Sequence, residues 1–201
     1  MKKIRLAVFF GFVLTVCFSS SIISFNNSVD EIRNSVFRLH ILANSDSIED
    51  QQLKLQVRDE ILRLSGELFA GRTLEESVEK ASASLEVIEK AAENVLAENG
   101  YDYDVFCEIA PTEFGDRDYG DFTMPAGEYT ALCVYIGNAQ GHNWWCVMYP
   151  PLCVGTAEQN IESYFEKDEA DILTNHEKYE IRFKCVEIFS GIKQKITELL
   201  N

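Results

Sequence analysis

Three histidines, five cysteines beyond the N-terminal apolar run and a dense set of carboxylates are the residues of this chain equipped for catalysis or metal binding. His142 and Cys146 stand four apart, the arrangement of a base beside a nucleophile, and with Cys153 they would offer three zinc ligands. His40 and Asp46 flank the end of an alternating run, and His176 stands in the first turn of a late helical pattern. None of these spacings repeats an established ligand or triad pattern. No HExxH, GxSxG, CxxC or phosphate loop groups them. Carboxylate pairs such as Glu75-Glu76 fall at a helix start, where peptide dipoles favour negative charge without any catalytic duty. The residues therefore read as a protein that is not an enzyme and calls for no metal or cofactor.

The elements that must position these groups centre on Phe122 to Cys153, which holds both tryptophans, three of the four prolines and three of the six cysteines. Pro125-Ala126-Gly127 reads as a turn. Glu128 to Ile136 is rich in residues that fit a pleated surface, Gly137 to Gly141 has hairpin-loop composition, and Trp144 to Tyr149 reads as the return strand, ended by Pro150-Pro151. Alternation puts Trp144, Cys146 and Met148 on one face of that strand and Trp145, Val147 and Tyr149 on the other. Both faces are apolar, so the strand is either core or keeps one face for a partner. Either tryptophan satisfies the pattern as the outward one. Cys146 and Cys153 can bridge across the diproline, closing a loop of about eight residues worth roughly 2.5 kcal/mol, or remain two buried thiols. Cys107, Cys133 and Cys185 read as buried thiols in either case.

Val36 to Ala43 alternates Phe37, Leu39 and Ile41 with Arg38 and His40, a strand signature that stops at Asn44-Ser45-Asp46-Ser47. Ser47 with Asp50 has capping-box spacing, and Leu53, Val57, Ile61, Leu64 and Leu68 give the apolar stripe of the helix that follows. Thr73 with Glu76 caps a second helix, read as continuous from Leu74 to Val95. Tyr101 to Ile109 alternates as a strand, and Glu113 to Asp121 reads as a loop. Beyond Cys153 the pattern gives a short helix carrying Ile161, Tyr164 and Phe165, a weakly patterned acidic connection over Lys167 to Thr174, and a last helix running to Leu200. The fold class expected is α+β, a small antiparallel or mixed sheet with a central hairpin, packed by two to three helices.

Lys2, Lys3 and Arg5 precede an uncharged run from Leu6 to Phe18, the n-region and h-region of an export signal. Residues 1–21 thus read as a signal peptide cleaved near Ser21 or kept as an anchor, residues 22–35 as a polar tether, and residues 36–201 as one domain. Thirty-three acidic against 18 basic residues give a net charge of −15, and −18 once the signal's three cations are gone. Such a surface repels phosphate backbones, which excludes nucleic-acid binding, and it disfavours anionic membrane surfaces, leaving membrane contact to an uncleaved N-terminal segment.

FRLHILANSD at Phe37 to Asp46, MPAGEY at Met124 to Tyr129 and NWWCVMYPPLC at Asn143 to Cys153 together resemble the stage II sporulation protein R family. The resemblance implies a signalling protein made in the forespore and exported into the space between forespore and mother-cell membranes. There it would trigger a membrane-embedded aspartic protease of the mother cell, which matures the precursor of an early sigma factor. Two partner-binding groups follow as expectations. Arg38, His40, Asn44 and Asp46, grouped because alternation aims the two basic side chains one way, form either a partner-binding polar site at the end of the first strand or a local ion-pair and helix-capping network; His142, Asn143, Trp144 and Trp145 dock with their loop on the protease. The alternative is an exported cell-wall or peptide hydrolase using His40, Asp46 or a carboxylate in a cleft.

Overall fold

Alternation in FRLHIL gives the strand on which the sheet is built: β1 (Phe37–Leu42) buries Phe37, Leu39 and Ile41 on one face. The structure is a computed structural model that describes residues 2–68, 71–152, 161–175 and 177–179. In chain order the other described elements are α1 (Lys2–Asn34), α2 (Ile48–Leu68), α3 (Leu74–Ala83), α4 (Leu85–Glu98), β2 (Val105–Phe114), β3 (Arg117–Asp118), β4 (Thr123–Met124), β5 (Gly127–Ile136), β6 (Asn143–Tyr149), a 3-10 turn (Ile161–Ser163) and α5 (Lys167–Thr174). The described residues cluster into two compact units, divided at Arg33/Asn34, Glu113/Phe114, Gly127/Glu128 and before Ile161. All but the first of these boundaries fall inside the stretch 36–201 that the sequence reads as one domain.

The larger unit holds a mixed four-stranded sheet of order β2-β5-β1-β6. β1 pairs parallel with β5, Leu39 opposite Leu132, and antiparallel with β6, Leu39 opposite Cys146. One face of this sheet carries Leu39, Ile41, Val105, Cys107, Leu132, Val134 and Cys146 into a core completed by Leu53, Val57 and Ile61 of α2, Ala81 of α3, and Ile88, Ala92 and Leu96 of α4. Each of the valine, leucine and isoleucine side chains contributes about 1.5–3 kcal/mol on full burial. The expected α+β class, with a mixed sheet and three packed helices, is what the chain adopts.

The central hairpin is corrected. Both strands form where expected, but β1 lies between β5 and β6, so the two are not paired with each other. Hairpin composition marks a reversal of direction; it carries no information on whether a third strand fills the gap. The helix read from Leu74 to Val95 breaks at Ser84, whose N–H turns back to Ala81 O at 3.0 Å. The break sits in Ala-Ser-Ala-Ser, and serine competes with the helix ladder for backbone partners.

In the smaller unit the polar tether is also corrected. Residues 26–34 continue α1, and Phe25, Val29 and Ile32, spaced four and three, are buried. At the helix end Arg33 pairs with Asp30 and donates to Ala126 O, while Ala126 N–H donates to Asp116 Oδ1 at 2.6 Å. Gly127 stands at φ +142°, and a β-carbon there would run into the Arg33 guanidinium. MPAG is therefore the seat of an arginine as well as a turn. Residues 117–118, expected in a loop, pair with β4. The connection read over Lys167 to Thr174 is α5, with a reciprocal capping box of Glu166 and Glu169 and with Ala170, Ile172 and Leu173 buried. The helix expected from Thr156 shows only its 3-10 turn among the described residues, and most of the last helix lies outside them.

Gly127→Ala should destabilise the protein by roughly 2–4 kcal/mol, overpacking and a forced positive φ acting together. Urea unfolding checks it; an unchanged midpoint would mean that the arginine seat carries no stability.

Candidate functional site

Because β1 separates β5 from β6, the chain leaving β5 has to pass over the end of β1 within Gly137 to His142. The strand's own continuation, Ala43-Asn44-Ser45-Asp46, receives it. Gly141 N–H donates to Ala43 O at 2.9 Å, Gln140 N–H to Asn44 O at 3.2 Å, Asn138 N–H to Asn44 Oδ1 at 2.9 Å and His142 N–H to Asp46 Oδ1 at 2.6 Å. His142 Nδ1 also meets Asp46 Oδ1. The approach is close enough that a β-carbon at Gly137 would strike the Asn44 side chain, and one at Gly141 the Ser45 carbonyl. Gly137 further holds φ +55°.

Beneath this clasp the first turns of α2 supply its support. Ser47 Oγ accepts from Asp50 N–H at 3.1 Å, the capping half of the expected box. The Asp50 side chain does not complete the box. It accepts from Asn44 Nδ2 at 2.8 Å and from Ser45 Oγ at 2.5 Å, so one buried carboxylate fixes the segment that holds the loop. Burial pushes the Asp50 carboxyl up, but hydrogen bonds from Ser45, Asn44, Tyr103 and Ser47 outweigh it and hold the group below its ordinary value. Lys54, buried in the same turn, donates to His142 O at 2.8 Å and to Gln51 Oε1 at 2.5 Å. Its pKa is lowered by burial, opposed by the charge of Asp46 and reinforced by that of Arg58.

A second group forms on the sheet face away from the helix-packed core. His40 Nε2 donates to Asn143 Oδ1 at 2.9 Å, and its ring meets Trp145 edge-on at 5.4 Å. Burial lowers the pKa of His40; the Asn143 bond raises it and Arg38 lowers it further. Cys133, opposite His40 on β5, is a buried thiol held near Thr112 Oγ1 at 3.2 Å. Burial, with the charges of Glu89 and Cys133, pushes Cys107 up to about 12, so it too is a protonated, unreactive thiol.

The structure thus brings Asn44, Asp46 and His142 into one clasp and His40, Asn143 and Trp145 into its flank. Arg38 is corrected. It lies on the same face as His40, as alternation requires, but is fully buried with its guanidinium 4.9 Å from the Tyr129 ring centre, out of reach of a partner. Trp144 belongs to the core face with Cys146 and Met148, and Arg58 stacks on it at 4.4 Å. Trp145 is the tryptophan on the opposite face. The sequence reading missed Ser45, Asp50, Gln51 and Lys54. Asp50 was absorbed by its capping spacing, and nothing local marks a lysine as the acceptor loop's anchor. Among the described residues no three His, Cys, Asp or Glu side chains converge as a metal would need. Cys153 and Cys185 lie outside those residues. What the arrangement offers chemically is a set of rigid hydrogen-bonding groups, with its buried carboxylate engaged by the side chains of Asn44 and Ser45.

A family model described as stage II sporulation protein R matches residues 33–159. The chain is 36% identical over 123 residues to stage II sporulation protein R of Bacillus subtilis (strain 168). That match takes in 61% of this chain and spans about half the length of the relative, 55%. No solved structure matches.

His40 gives the pH dependence a definite sign. Its folded pKa lies below the ordinary 6.5, so its contribution to stability is complete above 6.5 and is lost as pH falls through the depressed value. Asp50 is silent in that window, since its own loss begins only below its ordinary 3.8. Urea midpoints should fall between pH 7.5 and pH 5.5, and His40→Gln should flatten the fall; an equal fall in the variant would remove His40 as the cause.

Proposed function

The chain belongs to the stage II sporulation protein R family, and on that premise we propose that it is an exported signal of sporulation rather than an enzyme. It passes from the forespore into the space between the two septal membranes. There it triggers a membrane-embedded aspartic protease of the mother cell, which removes the pro-sequence of an early sigma factor. The observation that carries this reading is the extent of the family match, which takes in β1, the clasp, the MPAG turn and β6. The basic n-region and apolar run before residue 22 support export; mass spectrometry of the exported N-terminus separates cleavage near Ser21 from retention as an anchor. A Cys146–Cys153 bridge after β6 belongs to the same proposal, and recovery of both cysteines alkylated in non-reduced peptide maps would dismiss it.

Within this reading the contact with the protease is made by the Gly137 to Asn143 loop and the Trp145 face of β6. A rigid aromatic beside pre-ordered polar groups is the usual composition of a binding hot spot. Trp144 serves the core instead. The two tryptophans should separate when purified variants are combined with the membrane protease and its precursor substrate. Trp144→Ala should lose about 3–5 kcal/mol of stability. Trp145→Ala should remain folded yet process at least about ten-fold more slowly, a difference of roughly 1.4 kcal/mol. Normal processing by a folded Trp145→Ala would move the contact elsewhere; no processing with the unaltered chain would overturn the signalling reading itself.

A further inference from the structure

β2 is an outer strand of its sheet, ten residues long where strands commonly have five or six, and it carries an exposed Phe106. Among the described residues no strand lies beside it, and a long, aromatic edge of that kind is a template for pairing with another chain. The direction of its backbone groups is fixed where it begins, because Gly137 N–H, just past β5, donates to Asp104 O at 2.9 Å. Alternation then turns Asp104, Phe106 and Glu108 toward β5, and the N–H groups of Val105, Cys107 and Ile109 outward. Further along the strand Pro111 has no N–H to offer. At the middle of the outward row, Cys107 N–H donates at 2.7 Å to Glu89 Oε1, a side chain of α4 rather than a strand.

We propose that Glu89 guards this edge: its carboxylate occupies the amide through which a second copy of the chain would add its own β2, and so keeps the protein monomeric. A second copy is the fitting occupant because the segment Val105 to Ala110, VFCEIA, is apolar and strand-forming with a single charge, and an antiparallel pairing about Cys107 would be self-complementary. Pro111 closes the same edge further along by supplying no donor. The carboxylate's position on α4 also means that the guard is set only once α4 has packed against the sheet, so the edge is open in a chain whose helices have not docked.

The test uses the full chain in mild detergent, with hydrogen exchange at the Cys107 amide and chemical cross-linking as readouts. The unaltered chain should be monomeric, with slow exchange at Cys107. Glu89→Ala leaves α4 with the best helix-forming residue. This variant should exchange at least about ten-fold faster at Cys107 when dilute and cross-link as a dimer when concentrated. Glu89→Asp, which withdraws the carboxylate by one methylene, gives the same reading if the alanine variant loses its fold. Glu89→Gln keeps the acceptor oxygen and should behave as the unaltered chain; its association would point to lost charge repulsion and overturn the capping account. Adding Phe106→Lys, a charge on the edge itself, should return Glu89→Ala to monomer. A Glu89→Ala chain that stays monomeric, or a dimer that survives Phe106→Lys, overturns the proposal.

Discussion

The insertion of β1 between β5 and β6 is the constraint from which the rest of the larger unit follows. Strands two apart in a sheet are separated by about 9.5–10 Å, and six residues must cover that distance while passing over the end of the strand between. Gly137 N–H still reaches Asp104 O and Ala139 N–H turns back to Ile136 O, but Asn138, Gln140, Gly141 and His142 need other acceptors, and the carbonyls and side chains of Ala43, Asn44 and Asp46 provide them. Glycine at 137 and 141 follows from the closeness of that approach. The support continues inward, since Asn44 and Ser45 are themselves held by Asp50. The loop is thus ordered by the chain itself, and a contact made through it, as proposed, would carry a lower entropy cost.

Two buried or half-buried cations of this acidic chain act as backbone clamps. Lys54 reaches the His142 carbonyl in the larger unit. Arg33 reaches the Ala126 carbonyl in the smaller. In each case the cation also meets a side-chain acceptor of its own helix, Gln51 for Lys54 and Asp30 for Arg33. An apolar residue at either position would leave that carbonyl without its donor, so both are poor candidates for such an exchange. Glu89 has the complementary role, an anion closing an open amide.

Most elements were legible because their signals are local. Period-two alternation placed β1, β5 and β6 within one or two residues, and apolar spacing placed α2. The face of Trp144 also followed from alternation once Cys146 was known to be core. What escaped was set by distant partners. Hairpin composition gave the turn but not the strand between its arms, since β1 arrives from some ninety residues upstream. Asp50 was assigned to a cap because the spacing allowed it, while its bonds go to Asn44 and Ser45. Arg38 shares its face with His40, yet burial rather than alternation decides whether it can meet a partner. The helical stripe Phe25, Val29, Ile32 was present in a segment read as polar, and the count of polar residues concealed it. Asn44 and Asp46 are grouped at the strand end by sequence, but the amides they hold, at residues 138 and 142, come from a distant segment that no local network announces.

The most direct measurement of whether the clasp holds the loop is native-state hydrogen exchange of the full chain, resolved at the amides of Asn138, Gln140, Gly141 and His142. In a free surface loop such amides exchange at the rate of an unstructured peptide. The account predicts protection by at least about a hundred-fold over that rate, close to that of β1, because each donates to the strand's continuation. Exchange of all four at the unprotected rate, with β1 still protected, would contradict it.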